Sequence, residues 1–357
     1  MITVTKTFIP PIEEYTTILN RAFENGWLTN RGELVLELEK KISEKLKLNQ
    51  SKVLCLNNGT IPLQIAVKLF GKGGEIITTP FSYVATTSAI LWENCTPVFV
   101  DIHPKTLTID ESLIEAAITD KTTCILATHV FGNPCNIEEI DRIAKKYNLK
   151  VIYDAAHCFG VEYRGKSIFE FGDISTCSFH ATKVFHTGEG GAIFTKDEEL
   201  FNQIKLSHSF GHINDDYFLV GINAKMSELS AAMGLVNIKY FDEILAKRNQ
   251  VVSMYNQKLD FIKFNTILFR EDIFWNFSYF PIFFENDEQM MLVKNKLELN
   301  DIFPRRYFYP SLNLLPFLSN KLEQSVSEKI SKTIICLPLY FDINQNDIEL
   351  IISLVNG

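Results

Sequence analysis

Four short segments hold side chains suited to chemistry, and each follows an apolar run that reads as a β-strand. Asn57-Asn58-Gly59-Thr60 comes after KVLCL and opens a helical stretch with Pro62 in its first turn. Gly59 allows close approach to the backbone, and the N–H groups of a helix start attract an anion, although the same residues also suit an ordinary helix cap. Phe81-Ser82-Tyr83 follows EIITTP and offers an aromatic face to a flat ligand, or else plain core. Asp154 ends KVIYD and begins Asp154-Ala155-Ala156-His157, a carboxylate beside two small residues with room for a bulky group, or else an N-cap. Ser178-Phe179-His180-Ala181-Thr182-Lys183 closes another strand, on a loop ending Gly188-Glu189-Gly190-Gly191. Lys183 is a nucleophile there if loss of water lowers its pKa, and a solvated surface lysine if not. Each signal is weak alone, but together they supply an anion cradle, an aromatic plate, a carboxylate and a lysine. That set suits pyridoxal phosphate: phosphate in the cradle, ring on the aromatic, pyridine nitrogen on the acid, aldehyde on the lysine.

Such residues work together only if one scaffold brings their strand ends side by side. Leu34, Leu38, Ile42 and Leu46 recur at helical spacing, predicting an amphipathic helix over 33–48. Strands at 52–56, 75–79, 97–100, 123–127 and 150–153 then alternate with helices at 61–70, 82–92 and 138–147. This alternation predicts an α/β fold with parallel strands and helices on both faces, whose ligands sit at the carboxyl ends of the strands. From about Asp173 two strands, 174–179 and 191–195, are joined by the loop HATKVFHTGEGG, and two helices follow at about 227–238 and 240–259. The Phe-rich remainder, from about Phe261, mixes strands and helices. The reading is a large domain over residues 1–240 and a small C-terminal α+β domain over 241–357, with no Pro/Gly/Ser linker marking the boundary.

The chain has 357 residues, with 43 acidic against 35 basic side chains and a formal net charge of −8. This balance, without a basic cluster, argues against nucleic-acid or anionic-membrane binding. Seven cysteines without C-x-x-C or zinc-like spacing point to reduced thiols, no metal site, and a cytoplasmic protein. Its longest uncharged apolar stretch, Ile273 to Phe284, is too short to span a membrane. The N-terminus lacks a signal-peptide layout, and no G-x-G-x-x-G supports a dinucleotide reductase.

VIYDAAHCFG, SFHATKVFHTGEGGAIFT and GINAKMSELSAAMGL, in this order and spacing, resemble the DegT/DnrJ/StrS family of nucleotide-sugar aminotransferases. The resemblance runs from about Trp27 to Val236 and continues more faintly beyond. It implies the aspartate-aminotransferase-like fold (fold type I), a large domain with a mostly parallel sheet and a small C-terminal domain. It also implies pyridoxal 5′-phosphate bonded to Lys183, with Asp154 on the pyridine nitrogen and Tyr83 stacked on the ring. The backbone at Gly59 and Thr60 and the Ser178 hydroxyl would bind phosphate, and His157 would lie near the 3′-oxygen. Asn223 would reach the phosphate of a neighbouring subunit, making the active unit a homodimer. L-Glutamate is the implied donor. The loop SFHATKVFHTGEGG, with WLTNRG and ITTPFSYVAT, is similar to members acting on dTDP-4-keto-6-deoxy-D-glucose to form dTDP-4-amino-4,6-dideoxyglucose for surface-glycan (O-antigen) synthesis. Amination at C3 within the same family, and a non-catalytic cofactor- or nucleotide-sugar-binding sensor, are the competing readings. A sugar 3-dehydrase would carry histidine in place of Lys183. The family usually has Ser-Gly-Thr where this chain has Asn58-Gly59-Thr60, a site whose contacts are largely backbone. Arg305 and Arg306, in FPRRYFYP, stand as candidates for a carboxylate or diphosphate, with surface arginine as the plainer reading.

Overall fold

The structure, a computed structural model, describes residues 1–318 and 322–357. The apolar runs become β1 (Lys52–Leu56), β2 (Glu75–Thr78), β3 (Thr96–Phe99), β4 (Thr122–Thr128), β5 (Lys150–Asp154), β6 (Ile174–Ser178) and β7 (Gly191–Thr195). They form one seven-stranded sheet in the order β1-β7-β6-β5-β4-β2-β3. Only β7 runs antiparallel to its neighbours, so the other six strands all end at the same edge. Successive side chains point to opposite faces. Val53, Cys55, Ile125, Val151 and Tyr153 enter one core, and Leu54, Leu56, Cys124, Leu126 and Ile152 the other. Both faces are covered, which is why the strands read as continuous apolar runs rather than alternating ones.

The covering helices are α1 (Ile12–Glu24), α2 (Glu33–Lys45), α3 (Thr60–Gly71), α4 (Val84–Trp92), α5 (Ile137–Tyr147) and α6 (Glu198–Ser207). Leu34, Leu38 and Ile42 of α2 pack on the first face, while Leu63, Ala66 and Val67 of α3 and Ile204 of α6 pack on the second. Asn136 and Asp197 cap α5 and α6 with side-chain oxygens. The helix read from Ser82 begins at Val84, leaving Tyr83 at its N-cap.

The two helices read at 227–238 and 240–259 are one: α7 (Glu228–Lys258) runs unbroken for 31 residues. Its apolar pattern changes midway because its two halves serve different cores. Ala231, Leu235, Phe241 and Ile244 pack beneath the large sheet. Val251, Val252 and Tyr255 pack in a second core with the C-terminal elements. The boundary placed near residue 240 falls inside this helix. The second core surrounds an antiparallel sheet of β8 (Asn265–Thr266), β9 (Phe280–Phe283) and β10 (Ile334–Leu337). Around it lie α8 (Asp287–Glu298), α9 (Ser325–Thr333) and α10 (Gln345–Asn356). Among the described residues, no helix is long and apolar enough to cross a membrane.

Candidate active site

Strand register assembles the site. In the sheet Thr128 of β4 pairs with Asp154 of β5, and Asp154 pairs with Thr176 of β6. Alongside, Gly191 of β7 pairs with both Ser178 of β6 and Leu56 of β1. The ends carrying Asn57-Asn58-Gly59-Thr60, Asp154 and Ser178 therefore share one edge, with the Lys183 loop crossing above it. Packing there is close. A Cβ on Gly59 would lie 2.6 Å from Ser178 Cβ, and one on Gly191 would lie 2.3 Å from the Asn58 carbonyl oxygen. Only glycine fits either position, which lets the Gly59 backbone pack directly against Ser178.

Asp154 is buried. Its Oδ2 accepts a hydrogen bond from Thr86 Oγ1 at 2.8 Å and its Oδ1 one from the Ala156 amide at 3.1 Å. Burial raises its pKa above the ordinary aspartate value, opposed in turn by Thr86, Ala156 and the charge of Lys183. Lys183 is half-buried. Burial around its amine lowers its pKa from the usual lysine value, against the raising influence of Tyr307, Asp154, Cys177 and Tyr83. Its Nζ lies 5.8 Å from the centre of the Tyr279 ring. The lysine is thus closer to its neutral, nucleophilic form than a solvated one.

His157 is buried, and its Nδ1 accepts the Phe131 amide at 3.2 Å. The neutral ring therefore carries its proton on Nε2. Burial first, then the Lys183 charge, hold its pKa well below the histidine norm, so it remains neutral. Its ring stacks on Phe308, with centroids 5.9 Å apart. A small cavity lies between His157, Ser178, Lys183, Asn276, Ser278 and Tyr279.

The structure thus gathers Gly59, Ser178, Asp154, His157 and Lys183 in one place, with Thr60 opening α3 beside Gly59. Tyr83 is 53% exposed and does not line that cavity. Asn58 does more than the sequence suggested: its Oδ1 accepts from the amides of both Thr60 and Ile61, each at 2.9 Å. An incoming anion at those amides meets this internal cap first. Asn223 is exposed, on a segment joined to β1 through the bond from the Asn57 amide to the Ala224 carbonyl. Of the two candidate arginines, Arg306 is engaged with Asp287 and the Lys332 carbonyl. Arg305 lies over Tyr307, 4.5 Å from its ring centre, within reach of the aromatic wall near Lys183.

Sequence reasoning missed the wall contributed from beyond residue 270. Asn276 donates to the carbonyls of His157 and Phe159, at 2.8 and 2.9 Å, and so holds the loop after Asp154. Ser278 donates to Phe131. The polar residues inside WNFSYF were the available signal, set in a run that otherwise reads as core. Thr86 and Thr128 were missed, and Ser82 was read only as the neighbour of Tyr83, for a different reason: buried hydroxyls are ordinary in sequence, and only register brings Thr128 to Asp154.

Comparison with known proteins shows the family of the chain. The profile of the DegT/DnrJ/EryC1/StrS aminotransferase family matches residues 12–356. The dTDP-4-amino-4,6-dideoxy-D-glucose transaminase of Shigella dysenteriae is 41% identical over 99% of this chain and 97% of its own. The transaminase of the same name from Escherichia coli is 38% identical over 100% and 98%. Among solved structures, DesI in the presence of its TDP-sugar product is similar at a TM-score of 0.93 and 28% identity, covering 99% of this chain and 92% of that one. With full-length coverage by a family profile and by both relatives, this chain belongs to the DegT/DnrJ/EryC1/StrS aminotransferase family.

Proposed function

We propose that this protein uses pyridoxal 5′-phosphate to move an amino group from L-glutamate to C4 of dTDP-4-keto-6-deoxy-D-glucose, giving dTDP-4-amino-4,6-dideoxy-D-glucose. The observation that carries the reading is a lysine of lowered pKa set against a buried carboxylate at one sheet edge. The substrate follows from the name shared by the two full-length relatives. When bound, the cofactor supplies an aldehyde that bonds amines and a protonated ring that draws off electrons.

This chain's residues supply the rest. Gly59, Thr60 and Ser178 would hold the phosphate, with Asn58 giving up the Thr60 amide that it occupies. Tyr83 would cover the ring, Asp154 would keep the pyridine nitrogen protonated, and His157, with its proton on Nε2, would donate toward the 3′-oxygen. The Lys183 amine takes the proton at the donor's α-carbon and, in the second half-reaction, delivers one to the sugar's C4. One group serves as base and then acid because its lowered pKa lies nearer the working pH. The cavity wall of Asn276, Ser278 and Tyr279 limits water around that proton.

Asn223 acts on the phosphate of a second copy, so the active unit is a homodimer. Its exposure supports this, as do the exposed apolar side chains nearby: Phe210, Ile213, Tyr217, Phe218 and Val220, with Trp27 and Leu28. All seven cysteines are buried and unpaired, which supports residence in the reducing cytoplasm.

The test is incubation with glutamate and dTDP-4-keto-6-deoxy-D-glucose, with the product identified by NMR. An amino group at C4 is expected. Turnover only with a 3-keto sugar would reassign the carbon, and no turnover with either would sink the enzymatic reading.

A further inference from the structure

Three hydroxyl side chains form a series that ends on Asp154, and with the carboxylate ionised their bonds run in one direction. Thr128 Oγ1 donates to Ser82 Oγ at 3.1 Å, the Ser82 and Thr86 hydroxyls are 2.8 Å apart, and Thr86 Oγ1 donates to Asp154 Oδ2 at 2.8 Å. A hydroxyl has a single proton to give. Thr86 spends its proton on the carboxylate, so the bond between Ser82 and Thr86 must be donated by Ser82, whose own oxygen is supplied by Thr128. The series comes from β4, the residue before Tyr83, and α4. All three residues are 5% exposed or less, so bulk water does not reach them. Thr78 and Thr87 are equally buried in the same region, yet their hydroxyls have no partner. Burial of a threonine there does not by itself produce the series.

We propose that Thr128, Ser82 and Thr86 form an ordered hydroxyl relay that keeps Asp154 ionised, so that the proton of the cofactor pair stays on the pyridine nitrogen. The three are positioning residues: they act through Asp154 and touch neither cofactor nor substrate. Each donated bond polarises the next toward the carboxylate, and a buried carboxylate with fewer donors is a stronger base. Without the relay, the proton between ring nitrogen and Asp154 moves toward the carboxylate and the ring loses its pull on electrons. This inference rests on the cofactor reading above.

The test loads wild-type and variant proteins with ¹⁵N-labelled pyridoxal phosphate and records the nitrogen resonance at fixed pH, beside the cofactor dissociation constant. Thr86→Val, equal in size without the hydroxyl, should move the resonance toward the unprotonated position and weaken cofactor binding about tenfold, as expected for a lost bond to a charged group. Thr86→Ser should restore both values, Ser82→Ala should show a smaller change in the same direction, and Thr87→Val should match wild type. Thr86→Val or Ser82→Ala with the wild-type resonance and affinity would overturn the relay, as would failure of Thr86→Ser to restore them. If Thr86→Val does not fold, Ser82→Ala and Thr86→Ser decide the matter. A wild-type protein that takes up no pyridoxal phosphate would overturn the cofactor reading instead, a separate outcome.

Discussion

At the residue scale, burial dominates the titrating groups. His129, His157, His186 and His208 all have lowered pKa values, first by burial, with His129 at about 3 and His208 at about 4. In three of them Nδ1 accepts a backbone amide, from Cys135, Phe131 and Gly188 respectively, a bond the protonated ring cannot make. The unfolded chain binds protons at these histidines once pH falls below about 6.5, whereas the folded chain does not. Stability of the cofactor-free protein should therefore fall as pH drops from 7 toward 4, each histidine adding up to about 1.4 kcal/mol per pH unit. Asp154 works in the opposite sense. Its folded pKa is raised, so its contribution is present at low pH and lost as pH rises through that value. Glu39, also raised by burial, acts in the same sense, so two carboxylates stand against four histidines. Urea midpoints at pH 7.5, 6 and 5 provide the check, and equal midpoints would contradict the neutral-histidine picture. Lys183, Asp154 and His157 were legible from their motifs. The hydroxyls of Thr86 and Thr128 were not, since nothing in a buried threonine's local sequence tells which partner the sheet register will give it.

At the element scale, remote side chains terminate and fasten the helices around the site. The N-cap position of α2, Gly32, has no side chain to use. Glu228, at the first turn of α7, accepts from the amides of Leu34 at 2.7 Å and Val35 at 3.3 Å. One buried carboxylate thereby satisfies the start of a helix 194 residues away in sequence while sitting at the positive end of its own. Glu228→Ala should destabilise the protein by about 2 kcal/mol, seen as a lower urea midpoint, and Glu228→Gln, which keeps one acceptor, by less. An unchanged midpoint for Glu228→Ala would show that solvent can replace this cap. Farther along α7, the buried Arg248 donates to the carbonyls of Phe277 and Ser278, at 2.8 and 2.7 Å. It thereby fastens the helix to the segment that carries Ser278 and Tyr279 into the site. The strands and most helices were legible because apolar periodicity follows from local geometry. The unbroken course of α7 was not, because its apolar stripe changes partners where one core gives way to the next.

At the scale of the whole molecule, the proposed sharing of sites makes a sharp prediction. Lys183→Ala alone should have no turnover, and Asn223→Ala alone should be strongly impaired. If each site takes Lys183 from one copy and Asn223 from the other, half the dimers in an exchanged equal mixture are mixed, and one site in each is intact. About a quarter of wild-type activity should return. A mixture no more active than Asn223→Ala diluted twofold would place both residues in the same copy. The chain's own order of residues determined the fold class, the placement of a lysine and a carboxylate at strand ends, and the family, because strand-helix alternation and short motifs are local properties. Tertiary structure alone decided which hydroxyls feed Asp154, which tautomer His157 adopts, that Asn58 occupies the helix-start amides, and that residues 276–279 complete the cavity. The Asn58 bonds are local but depend on the turn the chain takes there, the hydroxyl and His157 bonds join segments 26 to 68 residues apart, and Asn276 reaches His157 across 119 residues; in each case hydrogen-bond direction is set by the partner a side chain meets in space.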